Sequence, residues 1–293
     1  MTATAVYVEV AMRIRAVAII AAFLAPFALT SGVAAQDWPN RPITMVVPFA
    51  PGGGPDAIAR ILAPQLSEIL SQQVVVENVG GAGGMIGSAR VARATPDGYQ
   101  FVLGNIGTHA QNQTIYKNPL YNAAADFAPV ALISEQPFVL VARNDLPVEN
   151  LRKFIAYAKT QQPGLRYGSS GAGSPNHLAC ALLNTAIGID AVHVPYRGAA
   201  LALQDLMGGR IDYLCAVPAS LISHIQANLV RALATLAKSR SSALPDLQTA
   251  DEQGLAGFDA TGWVAAFFPR DTPAPIVRKL HDAIVTVLDA RRP

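Results

Sequence analysis

The chain has 293 residues, of which 51% are hydrophobic and 14% charged, and its formal net charge is +2. That near-neutral balance, with no basic run interleaved with aromatics, excludes nucleic acid as a partner. Past Ala35 no segment is long and apolar enough to cross a bilayer, which excludes stable membrane insertion.

Residues 1–35 read as an export signal. Arg13 and Arg15 give a positive n-region, Ala16–Leu29 is almost wholly apolar, and Val33-Ala34-Ala35 offers small residues for cleavage before Gln36. The apolar run of about 14 residues is shorter than the roughly 20 that span a membrane. Glu9 is unusual in an n-region, so Met12 is a candidate start, and no Cys stands at the cleavage site to carry a lipid. The expectation is a soluble, monomeric protein outside the cytoplasm. Cleavage removes Arg13, Arg15 and Glu9, and the rest suffices for two modest domains.

Ile43–Phe49 reads as a buried strand and Pro55–Ser71 as a helix, joined through Pro51-Gly52-Gly53-Gly54. Glycines let bare backbone approach a ligand, and the first turn of a helix carries free N–H groups at the positive end of its dipole. This is an anion cradle. Asp56 suits a first-turn carboxylate that fixes the loop. Val74–Glu77 is a second strand, followed by the glycine loop Gly80–Gly84 and a helix through Arg93. Tyr99–Leu103 is a third strand, after which Thr108 and His109 could border a cleft. Pro137–Arg143 is a strand, Val148–Gln161 a helix, Leu165–Gly168 a strand and Ser174–Ile187 a helix. Ser174 can cap that helix and Pro175 suits its first position, so Tyr167–His177 builds a second anion-binding turn. His177 reads as a packing residue. Asp190–Pro195, Asp212–Ala216 and Arg231–Leu236 are strands; Ala199–Gly208 and Leu221–Ala227 are helices. The alternation argues a doubly wound α/β architecture with largely parallel sheets, whose ligands bind outside the carboxyl ends of the strands.

No histidine spacing indicates a metal, and no cofactor is expected. Gly168-x-Ser170 is followed by Gly171 and Ala172, which misses the hydrolase elbow. The rival reading is a nucleotide-binding oxidoreductase, exported or misassigned. Gly52-Gly53-Gly54-Pro55-Asp56-Ala57 fits G-x-G-x-x-A, and Glu77 ends the next strand where a ribose carboxylate would sit. Export, the N–H deleted by Pro55 and the lack of a catalytic set for hydride transfer weigh against it. Cys180 and Cys215 lie in apolar contexts. An oxidising compartment permits a bridge, but the favoured expectation is two buried, reduced thiols packed as small hydrophobes.

Taken together, Trp38–Asp56 (WPNRPITMVVPFAPGG..D), Val74–Gly87, Ala94–Gly104, Asp126–Ile133, Tyr167–Ala179, Val194–Asp212, Arg231–Phe258 and Phe267–Leu280 resemble the Bug family, the periplasmic substrate-binding receptors of tripartite tricarboxylate transporters. The resemblance covers nearly all of the chain past Ala35. It implies a type II periplasmic-binding-protein fold, two doubly wound α/β lobes joined by two crossing strands. It places lobe 1 at 36–136 and 261–293, and lobe 2 at 137–260. It implies a small organic acid, a di- or tricarboxylate or a relative, met by backbone amides and waters from both lobes, with membrane permease subunits as partners and no catalysis. Carried over residue by residue, the first-lobe contacts are Phe49, Pro51, Gly52, Gly53 and Asp56, with Thr108 and His109 nearby; the second-lobe contacts are Ser169, Gly173, Ser174, Tyr196 and Gly198. This chain departs from the pattern at Pro55, where a hydroxyl residue is usual, and at Val79-Gly80, where Arg-Pro is usual. It departs again at Cys215-Ala216-Val217-Pro218, where an aromatic and an acid are usual. The uncharged wall there favours a plain organic acid over an amino acid. Family members continue past Pro293, so lobe 1 is expected to be truncated and less heat-stable.

Overall fold

The computed structural model describes residues 38–161 and 164–290. The expected signal at 1–35 lies outside the described residues.

From Arg41 onward the chain builds two five-stranded sheets. The first has the order β2-β1-β3-β10-β4 and the second β7-β6-β8-β5-β9. The elements of the first are β1 (Ile43–Val47), β2 (Val74–Asn78), β3 (Gln100–Asn105), β4 (Phe127–Pro137) and β10 (Thr261–Pro269); those of the second are β5 (Val139–Ala142), β6 (Arg166–Ser169), β7 (Val192–Pro195), β8 (Tyr213–Ala216) and β9 (Arg231–Thr235). The helices are α1 (Gly54–Leu70), α2 (Met85–Ala92), α3 (Asn112–Ile115), α4 (Leu151–Thr160), α5 (Pro175–Ile187), α6 (Ala199–Met207), α7 (Ile222–Gln226) and α8 (Ala274–Asp289).

In each sheet three strands run parallel. β1 pairs with β2 and β3, and β6 with β7 and β8. One strand in each sheet is reversed: β10 lies antiparallel to β3 and β4, and β5 to β8 and β9. The parallel expectation therefore holds for the strands joined by helical crossovers and fails where the chain passes between the sheets. It passes once from β4 to β5 and once on entering β10. The two passages lie side by side, with Phe138 N donating to Ala260 O at 3.0 Å and Leu236 N donating to Phe138 O at 2.7 Å.

Both faces of the second sheet's inner strands β5 and β8 are buried, which explains their short, wholly apolar sequences. On β5, Leu140 and Ala142 join a core with Phe154 of α4, Leu183 of α5 and Tyr213. Val139 and Val141 point the other way, into a core with Leu203 and Leu206 of α6; this is the period of two along a strand. On α1, Ala59, Leu62, Ala63, Leu66 and Leu70 are buried at helical spacing, and Pro55 stands in the first turn.

The sequence reading gave no strand over Phe127–Gln136. Its burial repeats every third residue rather than every second, because the pairing with β10 slips twice, between Val264 and Ala265 and between Ala266 and Phe267. Pro129 further masks the strand pattern. The cysteine expectation is corrected as well: Cys180 on α5 and Cys215 on β8 form a disulfide, and both are fully buried. Apolar flanks describe a bridged pair and a pair of free thiols equally well.

Candidate functional site

Three helix N-termini open into one cavity. Gly53 precedes α1 and Gly198 precedes α6, and no side chain caps either helix. α5 is capped by Ser174, which accepts a hydrogen bond from the His177 N–H. Gly53, Gly54, Pro55, Pro175, Asn176 and Ala199 all line the cavity, whose volume is about 50 Å³. An anion there meets unpaired N–H groups and positive dipole ends.

The remaining wall is apolar or uncharged. Phe49, Ile58, Ile106, Phe138, Val217, Trp263 and Val264 supply the apolar part, and Asn105, Ser134, Gln136, Ser170, Asn176 and Ser220 the polar part. Among the described residues no charged side chain lines it. Several polar groups are already engaged. Ser170 Oγ donates to Asn176 Oδ1 (2.8 Å), Asn176 Nδ2 donates to Cys215 O (2.7 Å), and Ser220 Oγ donates to Val217 O (3.0 Å). Asn105 Oδ1 accepts from the Thr108 N–H at 3.0 Å.

Loops from the two sheets also touch beside the cavity. Ala50 N donates to Arg197 O at 3.3 Å, and the Tyr116 hydroxyl donates to Ala172 O at 2.5 Å. A Cβ on Gly198 would lie 2.8 Å from Ala50 Cβ, so only glycine permits this approach.

Comparison with known proteins identifies the architecture. The family described as "Tripartite tricarboxylate transporter family receptor" matches residues 58–292. This chain belongs to that family. An Agrobacterium vitis relative, described as a UPF0065 protein in the TAR-I ttuE-ttuC' intergenic region, is 43% identical over 87% of this chain and 73% of its own length. The structure of the periplasmic binding protein BugD is 38% identical, covers 87% of this chain and 85% of its own, and superimposes with a TM-score of 0.81. That of MatC from Rhodopseudomonas palustris, with bound malate, is 38% identical with a TM-score of 0.83, covering 86% of each chain. The chain is thus a Bug-type periplasmic solute-binding receptor, with the two-sheet α/β fold of periplasmic binding proteins.

Of the residues singled out in this receptor's sequence, Phe49 and Gly53 line the cavity. The others form the framework behind it. Pro51 and Gly52 lie in the turn before α1, where Gly52 has φ +83°, a backbone shape that glycine adopts freely. Asp56 is 3% exposed, and both of its carboxylate oxygens are taken. Oδ2 accepts from the Gly52 N–H (2.8 Å) and Arg60 Nε (2.9 Å), and Oδ1 from Asn78 Nδ2 (2.9 Å). Burial pushes its pKa up, but the hydrogen bonds from Arg60, the Gly52 amide and Asn78 outweigh that and hold it below the usual value. Asp56 shapes the cradle, with three of its roughly four acceptor sites held by Gly52, Arg60 and Asn78.

Thr108 closes a turn with Asn105, its Oγ1 accepting from the Asn105 N–H at 2.9 Å. His109 faces the core rather than the cleft. Its ring stacks on Phe267 at 3.9 Å and meets Phe127 edge-on at 4.5 Å. In the second-sheet loops, Ser169 Oγ lies 2.6 Å from His193 Nε2, and Gly173 N donates to His177 Nδ1 at 3.2 Å. The Tyr196 hydroxyl donates to Asp205 at 2.7 Å, and Gly198 abuts Ala50. Glu77, suggested as a ribose carboxylate, is instead gripped by Arg90 through both terminal guanidinium nitrogens. Sequence reasoning missed Ser134, Gln136 and Trp263, which sit on the strands whose pattern the register slips obscure. Asn176 and Ala199 were within reach, as first-turn residues of the helices already marked as anion-binding.

His109 makes stability pH-dependent. Burial lowers its pKa to about 3, so the folded protein resists a proton that the unfolded chain accepts near 6.5. The histidine's contribution is complete above pH 6.5 and is lost as pH falls toward 3. Between pH 7.5 and 4.5 this amounts to about 2.7 kcal/mol at 1.36 kcal/mol per unit. Urea unfolding of His109→Phe at the two pH values is expected to lose most of that difference. An unchanged difference between the two pH values refutes the assignment.

Proposed function

We propose that this receptor is exported, cleaved near Ala35, and holds a small carboxylate in the cavity between its two α/β lobes for uptake through membrane permease subunits or for sensing. It works as a monomer and leaves the ligand chemically unchanged. Lobe 1 comprises 36–136 with 261–293, and lobe 2 comprises 137–260; they close as rigid bodies about the paired passages near Phe138 and Ala260.

The observation that carries this reading is the convergence of the α1, α5 and α6 N-termini on a cavity that, among the described residues, no charged side chain lines. Hydrogen bonds to a charged group contribute about 1.5–3 kcal/mol each, and donors from both lobes reward closure. MatC, 38% identical, was solved with a small organic acid, malate, bound, which supports a carboxylate as the ligand class. A thermal-shift panel of mono-, di- and tricarboxylates and amino acids tests it. A true ligand at a hundredfold excess over Kd stabilises by about 2.7 kcal/mol. No shift with any acid, supported by flat calorimetric titrations, would overturn the reading.

A further inference from the structure

Two polar groups in the cavity wall have nothing to bind. Ser134 Oγ and Gln136 Oε1 are buried and have no hydrogen-bond partner among the described residues. Both belong to β4, two residues apart and therefore on one face of the strand, opposite Val264 and Gly262 of β10. The intervening Glu135 is exposed and is not part of the wall. A buried polar atom is normally hydrogen-bonded, and every other side-chain amide or hydroxyl in the lining has a protein partner.

We infer that Ser134 and Gln136 are the specificity-determining pair for the end of the ligand remote from its carboxylate, and that this end is an uncharged hydrogen-bonding group, a hydroxyl or an amide. The inference rests on the receptor reading above and narrows it. A second carboxylate at this end would be buried with no cation to meet it, since among the described residues no lysine, arginine or histidine lines the cavity, and an unpaired buried charge is strongly disfavoured. A methyl group would leave the two oxygens unsatisfied. The ammonium of an amino acid would likewise find no anion. Phe49, Ile106, Phe138 and Trp263 also line the cavity and suit an apolar body between the two polar ends. The ligand class is thus a monocarboxylate with a short apolar body that ends in a neutral polar group.

The test varies only the far end, in an aliphatic series (butyrate, 4-hydroxybutyrate, succinamate, succinate) and an aromatic one (benzoate, 4-hydroxybenzoate, terephthalate), by calorimetry on the whole protein. The expected result is that the hydroxyl or amide member binds at least tenfold more tightly than both the methyl or unsubstituted member and the dicarboxylate. Gln136→Leu and Ser134→Ala should each weaken the hydroxyl or amide member about tenfold while leaving the plain monocarboxylate within about twofold, a selectivity that a general loss of structure would not give. Gln136→Asn, which keeps the amide, should recover part of the loss. Preference for succinate or terephthalate, or equal loss for all members in the two variants, overturns this inference and leaves the receptor reading intact. If no member binds but another acid from the wider panel does, the same far-end comparison is made on that acid, with the same outcomes deciding. Silence toward every carboxylate removes the receptor reading itself.

Discussion

Replacing Cys180 and Cys215 together by alanine is expected to cost the protein about 3–4 kcal/mol. The bridge spans 35 residues of sequence. For a loop of that size the chain-entropy relation gives a stabilisation near the upper part of the usual 2–4 kcal/mol range. Both sulfurs are fully buried in the core between α4, α5 and the second sheet, so their removal also leaves small voids, and that cost has the same sign. At roughly 2–4 °C per kcal/mol for a chain of this size the melting temperature should fall by about 6–16 °C. The effect should reach the cavity too. Cys215 O accepts from Asn176 Nδ2, so the bridge fixes the start of α5 to the strand that carries Val217 into the wall. Differential scanning calorimetry of the double variant decides the matter. A loss below about 0.5 kcal/mol would show that the bridge contributes nothing to the fold.

How much of this molecule can be read from its sequence depends on how local the signal is. The strand-turn-helix units were legible because each carries its own punctuation: Gly52-Gly53-Gly54-Pro55 between β1 and α1, and Ser174-Pro175 before α5. Their boundaries fall within a few residues of the reading, and the two turns do face a common cavity. β4 was not legible, because the slips against β10 that give it a threefold burial rhythm depend on a partner more than a hundred residues away. With β4 went Ser134 and Gln136, the two lining residues with most to say about the ligand. His109 misled for a related reason. Its position after a strand suits a cleft residue, whereas the contacts that make it a core ring come from Phe127 and Phe267, on strands distant in sequence. Asp56 was legible in kind, as a loop-fixing carboxylate, but the sequence could not tell that Gly52, Arg60 and Asn78 are the partners of its two oxygens. In each case the residue type was readable and the partner was not.

Gly198→Val should weaken ligand binding by about 5–150-fold while sparing the ligand-free fold. Gly198 sits at φ −175°, ψ 158°, extended backbone that valine adopts without strain, so the substitution asks nothing new of its own loop. What it meets is the other lobe: a Cβ at this position would lie 2.8 Å from Ala50 Cβ and 3.3 Å from Ala50 N. Ala50 cannot yield easily, because its N–H is bonded to Arg197 O across the same seam and it precedes the turn that Asp56 fixes. Overpacking of this kind costs about 1–3 kcal/mol, and 1.36 kcal/mol is a factor of ten. On the lobe closure proposed above, the cost falls on the closed form, where Ala50 and Gly198 meet. Calorimetric titration with the best acid from the thermal-shift panel should therefore show the loss of affinity, and the melting temperature without ligand should stay within about 2 °C of the parent. Small-angle scattering adds an independent reading: the parent should contract when saturated with ligand, and the variant should contract less at the same ligand concentration. Affinity within twofold of the parent would mean that the Ala50–Gly198 approach plays no part in holding the ligand, and closure would then have to be sought at another contact.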